Sequence, residues 1–299
     1  MTDHIEDHDR GLAFDLATLQ RQRVGRRRAL SWLAGGSAAA VLAGCDSSGA
    51  TETSAESVVT PAATPTPTPA STPTPTPTSS SSACVADPQE TAGPYPGDGT
   101  NSSSGSTSNV LTQSGIMRAD LRRSFLTTTN DAGGVVVVLK IKLVNVNNAC
   151  AALAGYPIYL WHCDRNGHYS LYTAAAESWL RGVQVTDSNG EVTFTTYFPG
   201  GYDGRFPHMH FEIFASVAAA TSGRNALLTS QFAMPAAAIS AVYAVTSLYP
   251  TSAANAGSST SSDMVFGDNS AAQIAAMTPT FTGDPTGGYS ATATVGIAV

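Results

Sequence analysis

The chain has 299 residues and carries 22 acidic against 15 basic side chains, a net charge of −7 at pH 7. Between Cys84 and Val299 the balance is 14 acidic against nine basic, net −5, which excludes the basic face that nucleic-acid binding needs. The 42% of apolar residues are unevenly spread, and composition divides the chain into three parts.

Residues 1–45 read as a signal segment. A polar stretch ends in Arg26, Arg27 and Arg28, and an apolar, small-residue run follows at 29–45. That run is marginal for a membrane span but has the length of a signal-peptide hydrophobic region. The paired arginines predict twin-arginine export, and LAGC at 42–45 is similar to a lipobox that would leave Cys45 lipidated. An uncleaved signal anchor is the alternative. Residues 46–83, with PAATPTPTPASTPTPTPTSSSS at their centre, offer almost nothing to bury and cannot offset their own chain entropy. They are expected to form a disordered, semi-rigid stalk of polyproline character.

Residues 84–299 are the expected globular domain. Strand signals dominate it: 134–146, 155–162, 191–198, 207–214, 227–233 and 288–299 are rich in β-branched and aromatic residues and often alternate. Turn signals stand between them at 165–167, 187–190 and 199–204. Helical periodicity is limited to a short turn around 234–244, and 251–263 reads as a surface loop. The fold class predicted is all-β, a β-sandwich of mostly antiparallel strands behind the stalk. Of Cys84, Cys150 and Cys163, the last two lie near opposite ends of an expected strand. The spacing therefore favours a disulfide from Cys84 to one of them and leaves open which.

The stretch GGYDGRFPHMHF, 200–211, carries the chemistry. In a strand His208, His210 and Glu212 share one face, and Met209, Phe211 and Ile213 take the other, the core side. A solvated polar face would explain a lone HxH. All four histidines of the domain (162, 168, 208 and 210), however, fall within 49 residues, in two clusters that each contain tyrosine and glycine. No zinc-finger cysteine pairs and no HExxH occur.

WHCDRNGHYSLY at 161–172, RGVQVTDSNGEVTFTTYFPGGYDGRFPHMHFEIF at 181–214 and ETAGPYPGDG at 90–99 together resemble the intradiol ring-cleavage dioxygenases, in particular the secreted, protocatechuate 3,4-dioxygenase-like branch. The resemblance spans 84–245. It implies a β-sandwich and a non-haem Fe(III) ion held by Tyr169, Tyr202, His208 and His210. Phenolate oxygens suit a hard ferric ion better than thiolates do. It also implies a catalytic set of Tyr202, Arg205 beside the substrate and Gln231 near the iron, with Gly93, Pro94 and Tyr95 lining the substrate pocket. His162 and His168 match no ligand position. The expected activity is cleavage of a small aromatic diol by dioxygen between its hydroxyl-bearing carbons, in an exported, membrane-tethered enzyme. Two departures stand out: Tyr202 and His208 are only six residues apart, and the helical dimerisation region of catechol 1,2-dioxygenases is missing. The rival readings are a non-catalytic β-sandwich lipoprotein that binds carbohydrate or aromatic ligands, and a zinc hydrolase using Glu212 beside the histidine pair.

Overall fold

The computed structural model describes residues 84–299, apart from Asp203 and Ser258. The signal segment, Cys45 and the stalk lie outside the described residues. Two sheets make up the domain. The first contains β1 (Val136–Asn145), β2 (Ala151–Ala152), β5 (Glu191–Tyr197), β8 (Thr280–Asp284) and β9 (Gly288–Ile297). The second has the order β4 (Arg181–Val185), β3 (Pro157–Trp161), β6 (His208–Ile213) and β7 (Leu228–Ala233), all antiparallel. In the first sheet only the long β1–β9 pairing is parallel, with Val137 opposite Tyr289 and Asn145 opposite Ile297.

Alternation along the strands builds the sandwich. From the first sheet Val137, Leu139, Ile141 and Leu143 of β1, Phe194 of β5 and Val295 of β9 point inward. They meet Ile158, Leu160, Met209, Phe211, Ile213 and Phe232 of the second sheet in one core. The opposite face of the second sheet is buried too, and this departs from the solvated outer face that a lone HxH suggests. Tyr159 and Trp161 of β3 and Val183 of β4 form a second core with Val110, Leu111, Ile116, Tyr169 and Leu171, from segments that cross over the sheet. The histidine face of β6 is therefore an interior surface.

The six expected strands are present. The sequence signals missed β2, β4 and β8. β2 is two residues long, β4 is the end strand of its sheet, and β8 is exposed at four of its five positions. The turn expected around 234–244 is a helix, α1 (Ala236–Tyr243), whose Ala238, Val242 and Tyr243 join the main core. Its alanines have the highest intrinsic helix propensity, and Ala238 and Val242 fall one above the other on the buried face. Residues 251–263 are not simply a surface loop. They contain α2 (Ser252–Asn255), and both Ser252 and Asp263 are buried. A third helix, α3 (Ala271–Ala276), begins with a capping box between Ser270 and Gln273.

Cys84 is bonded to Cys150, which resolves the pairing, and Cys163 is a buried free thiol. Just beyond the disulfide, Asp87 and Gly296 of β9 exchange two hydrogen bonds: Asp87 N donates to Gly296 O, and Gly296 N to Asp87 Oδ2.

Candidate metal centre

The strand period places His208 and His210 side by side on the inner face of the second core. Two separate turns bring tyrosines to them: Tyr169 follows β3, and Tyr202 lies between β5 and β6. Gly167 makes this approach feasible. It has φ of +83°, and a Cβ there would stand 2.7 Å from the Cβ of Tyr202. His210 is clamped in a stack of rings, with Trp161 parallel to it at 4.9 Å and Tyr159 on the far side of Trp161 at 4.8 Å.

The four donor atoms close a ring. Tyr169 Oη is 3.0 Å from Tyr202 Oη, which is 3.0 Å from His208 Nε2; His208 Nε2 is 3.1 Å from His210 Nε2, which is 3.2 Å from Tyr169 Oη. Donors held cis around a first-row metal at ~2.1 Å are about 3.0 Å apart, so the spacing suits a shared cation. His208 Nδ1 donates to Phe206 O at 2.6 Å, which leaves the Nε2 lone pair aimed into the ring. His210 Nδ1 is buried with no hydrogen-bond partner.

Burial above all, and Arg205 after it, hold the His208 imidazole well below the usual histidine range. Burial, the neighbouring His208 and Arg205 do the same to His210. Both rings are thus neutral donors. Burial pushes both phenols up, with Arg205 pulling the other way, so a nearby cation is what would turn them into phenolates. Two neutral imidazoles and two such phenols fit a hard trivalent ion. Among the described residues no group of three or more His, Cys, Asp or Glu side chains could hold a metal, so the histidine pair has only the tyrosines to complete it. Glu212, on the same strand face, accepts instead from Thr229 Oγ1 at 3.5 Å, and burial, with the nearby Asp98 carboxylate after it, keeps its carboxyl well above the usual range. It does not join the ring.

The other expected site residues take distinct places. Tyr95 and Tyr202 line a cleft of about 510 Å³, together with His168, Thr173 and Asn255. Tyr95 also packs on Tyr169, centroids 4.8 Å apart. Gly93 faces the His210 ring, where a Cβ would meet Cε1 at 3.3 Å. Pro94 is not among the cleft-lining residues; its carbonyl accepts from Asn101. Arg205 Nη2 donates to Gln231 Oε1 at 2.9 Å, and Gln231 Nε2 donates to Thr91 O at 2.8 Å. His162 is a buried structural residue between Cys163 O and Thr196 Oγ1, whereas His168 stands exposed at the cleft.

Two neighbours carried no signal in the sequence. Asp263 pairs with Arg205, and Arg181 is buried with its five hydrogen bonds all directed at neutral oxygens. Two of the latter, to the carbonyls of Tyr95 and Pro96, hold the segment carrying Gly93 and Tyr95 in place. An arginine at the start of a short strand and an aspartate in a serine-rich stretch look like surface residues until the fold is known.

Residues 113–229 match the family model Dioxygenase_C, described as dioxygenase. The fold is similar to that of an intradiol ring-cleavage dioxygenase from Tetranychus urticae, at 22% identity over 72% of this chain and 95% of that one, with a TM-score of 0.53. A second solved dioxygenase structure, at the same identity and coverage, has a TM-score of 0.54. Family match and fold point the same way: a dioxygenase model matches the segment that carries the four donor residues, and the fold is similar to that of solved intradiol ring-cleavage dioxygenases.

Proposed function

We propose that the chain is an intradiol ring-cleavage dioxygenase that opens a catechol-type ring between its two hydroxyl-bearing carbons, using dioxygen and a non-haem ferric ion held by Tyr169, Tyr202, His208 and His210, to give a muconate-type diacid. The observation that carries the reading is the closed ring of four donor atoms with edges of 3.0–3.2 Å. Ferric iron supplies Lewis acidity towards the diol and redox coupling to dioxygen. The chain's own residues do the rest. Tyr202 is the ring member that also lines the cleft, so its oxygen, as the phenolate that a bound cation would make of it, would take a proton from the entering diol. Trp161 and Gly93 hold the His210 ring between them. Arg205, whose charge is felt at all four donor residues, would stabilise negative charge developing on the substrate ring.

Export and a lipid tether through Cys45 belong to the same proposal, supported by Arg26–Arg28 and LAGC. Elemental analysis and a visible spectrum of the purified protein test the metal assignment, because iron bound by tyrosinate gives a red-brown charge-transfer band. His210→Ala should lose most of the iron and the colour together, since no other described side chain stands ready to replace it. Stoichiometric iron in that variant would remove His210 from the ligand set. A colourless wild type that takes up no iron would favour the binding-module reading.

A further inference from the structure

Arg205 and Asp263 are 58 residues apart in sequence and form a two-point ion pair, Nε to Oδ2 at 2.8 Å and Nη2 to Oδ1 at 3.3 Å. The Asp263 side chain is fully shielded from solvent, and that of Arg205 is 12% exposed. Three backbone amides fix the carboxylate from behind: Phe206 N donates to Oδ2 at 2.8 Å, and Val265 N and Phe266 N donate to Oδ1 at 2.8 and 3.1 Å. Burial opposes its ionisation, but Arg205 and these amides outweigh burial and hold the carboxyl below the usual range.

The segment that delivers Asp263 also grips the loop bearing Tyr202 and Arg205. Gly204 N donates to Asn255 O at 2.8 Å, and Gly257 N donates to Arg205 O at 2.7 Å. Ala254, Asn255 and Ala256 form one wall of the cleft. Ala254, Asn255, Ala256, Gly257 and Asp263 all lie beyond the span 113–229 that the family model matches.

We propose that Asp263 is a positioning residue for ring cleavage, acting through Arg205, and that the segment bearing Ala254, Asn255, Ala256 and Asp263 contributes to the active site. A free arginine side chain has many rotamers. A two-point carboxylate contact on one edge, with Gln231 on the shared nitrogen, leaves one orientation and thereby sets where the charge sits relative to the four donor atoms. The assignment rests on the ring-cleavage reading.

The test uses the full chain as wild type, Asp263→Asn, Arg205→Ala and the combination of the two. Bound iron, the visible band, and kcat and KM for catechol per bound iron are measured for each. Asp263→Asn should keep its iron and its band while kcat per iron falls about 10–100-fold, the range typical of residues that orient a metal site's working groups. The combined variant should lose no more than Arg205→Ala alone. In metal-free protein, the drop in thermal midpoint of Asp263→Asn should be recovered by adding Arg205→Gln, because that change removes the stranded charge. This last measurement also decides the matter if Asp263→Asn fails to fold by itself. A kcat per iron within about threefold of wild type, a combined loss equal to the product of the single losses, or no recovery with Arg205→Gln would each overturn the assignment. A wild type that binds iron but cleaves no catechol would sink the ring-cleavage reading and this assignment with it. Wild-type turnover beside an unaffected Asp263→Asn would sink this assignment alone.

Discussion

Gly167 and Gly204 both have positive φ, at +83° and +67°, and both line the cleft, but only Gly167 is crowded. A Cβ at 167 would press on Tyr202, whereas one at 204 would meet nothing within 4 Å. Forcing an L-residue into this backbone region costs about 1–2 kcal/mol at either position. Gly167→Ala should add a displacement of Tyr202 to that cost, with loss of iron and of the visible band. Gly204→Ala should show only the stability cost and retain its metal. Equal iron content in the two variants would mean that the position of Tyr202 does not depend on Gly167. The four donor residues were legible because two follow the strand period and two sit in glycine-rich turns that match a known motif. Asp263 was not. Its partner is 58 residues away, and a charge surrounded by serine and threonine looks the same in sequence whether it faces water or a guanidinium.

At the scale of elements, strands that alternate strongly and pack in the sandwich core, such as β1, β5 and β9, were readable from local pattern alone. β4 and β8 were not, because a short edge strand owes its form to its neighbour more than to its own residues. The contact between residues 85–87 and β9 belongs to the same class of long-range fact, and it has a consequence for pH. Burial raises the Asp87 carboxyl from 3.8 to about 7, against the opposing hydrogen bond from Gly296. With the folded value above the unfolded one, stability is fully present below about pH 4 and falls as pH rises towards 7. The loss from this group is on the order of a few kcal/mol. Asp87→Asn should flatten that part of the curve in urea-unfolding midpoints of the metal-free protein between pH 4 and 7.5. Glu212, also raised, contributes a loss of the same sign. If the variant and wild type decline in parallel, Asp87 is not the group responsible.

At the scale of the whole molecule, composition alone divides the chain into an expected signal segment, an expected stalk and a domain, since entropy and apolar content differ so sharply between them, and only the last lies among the described residues. The proposed attachment can be checked directly. Cys45→Ala should release the protein from the membrane fraction or leave a larger uncleaved precursor; a variant that fractionates and migrates like wild type would refute lipidation. The Cys84–Cys150 bond then takes on a mechanical meaning. Tension arriving along the chain ahead of Cys84 passes through the sulfur atoms into the turn between β1 and β2, and bypasses residues 85–97. That bypassed stretch holds Gly93 against His210 and Tyr95 against Tyr169. Under the proposed attachment the bond would act as a strain relief, like the clamp on a cable, and a pull on the tether would not be felt at the four donor residues.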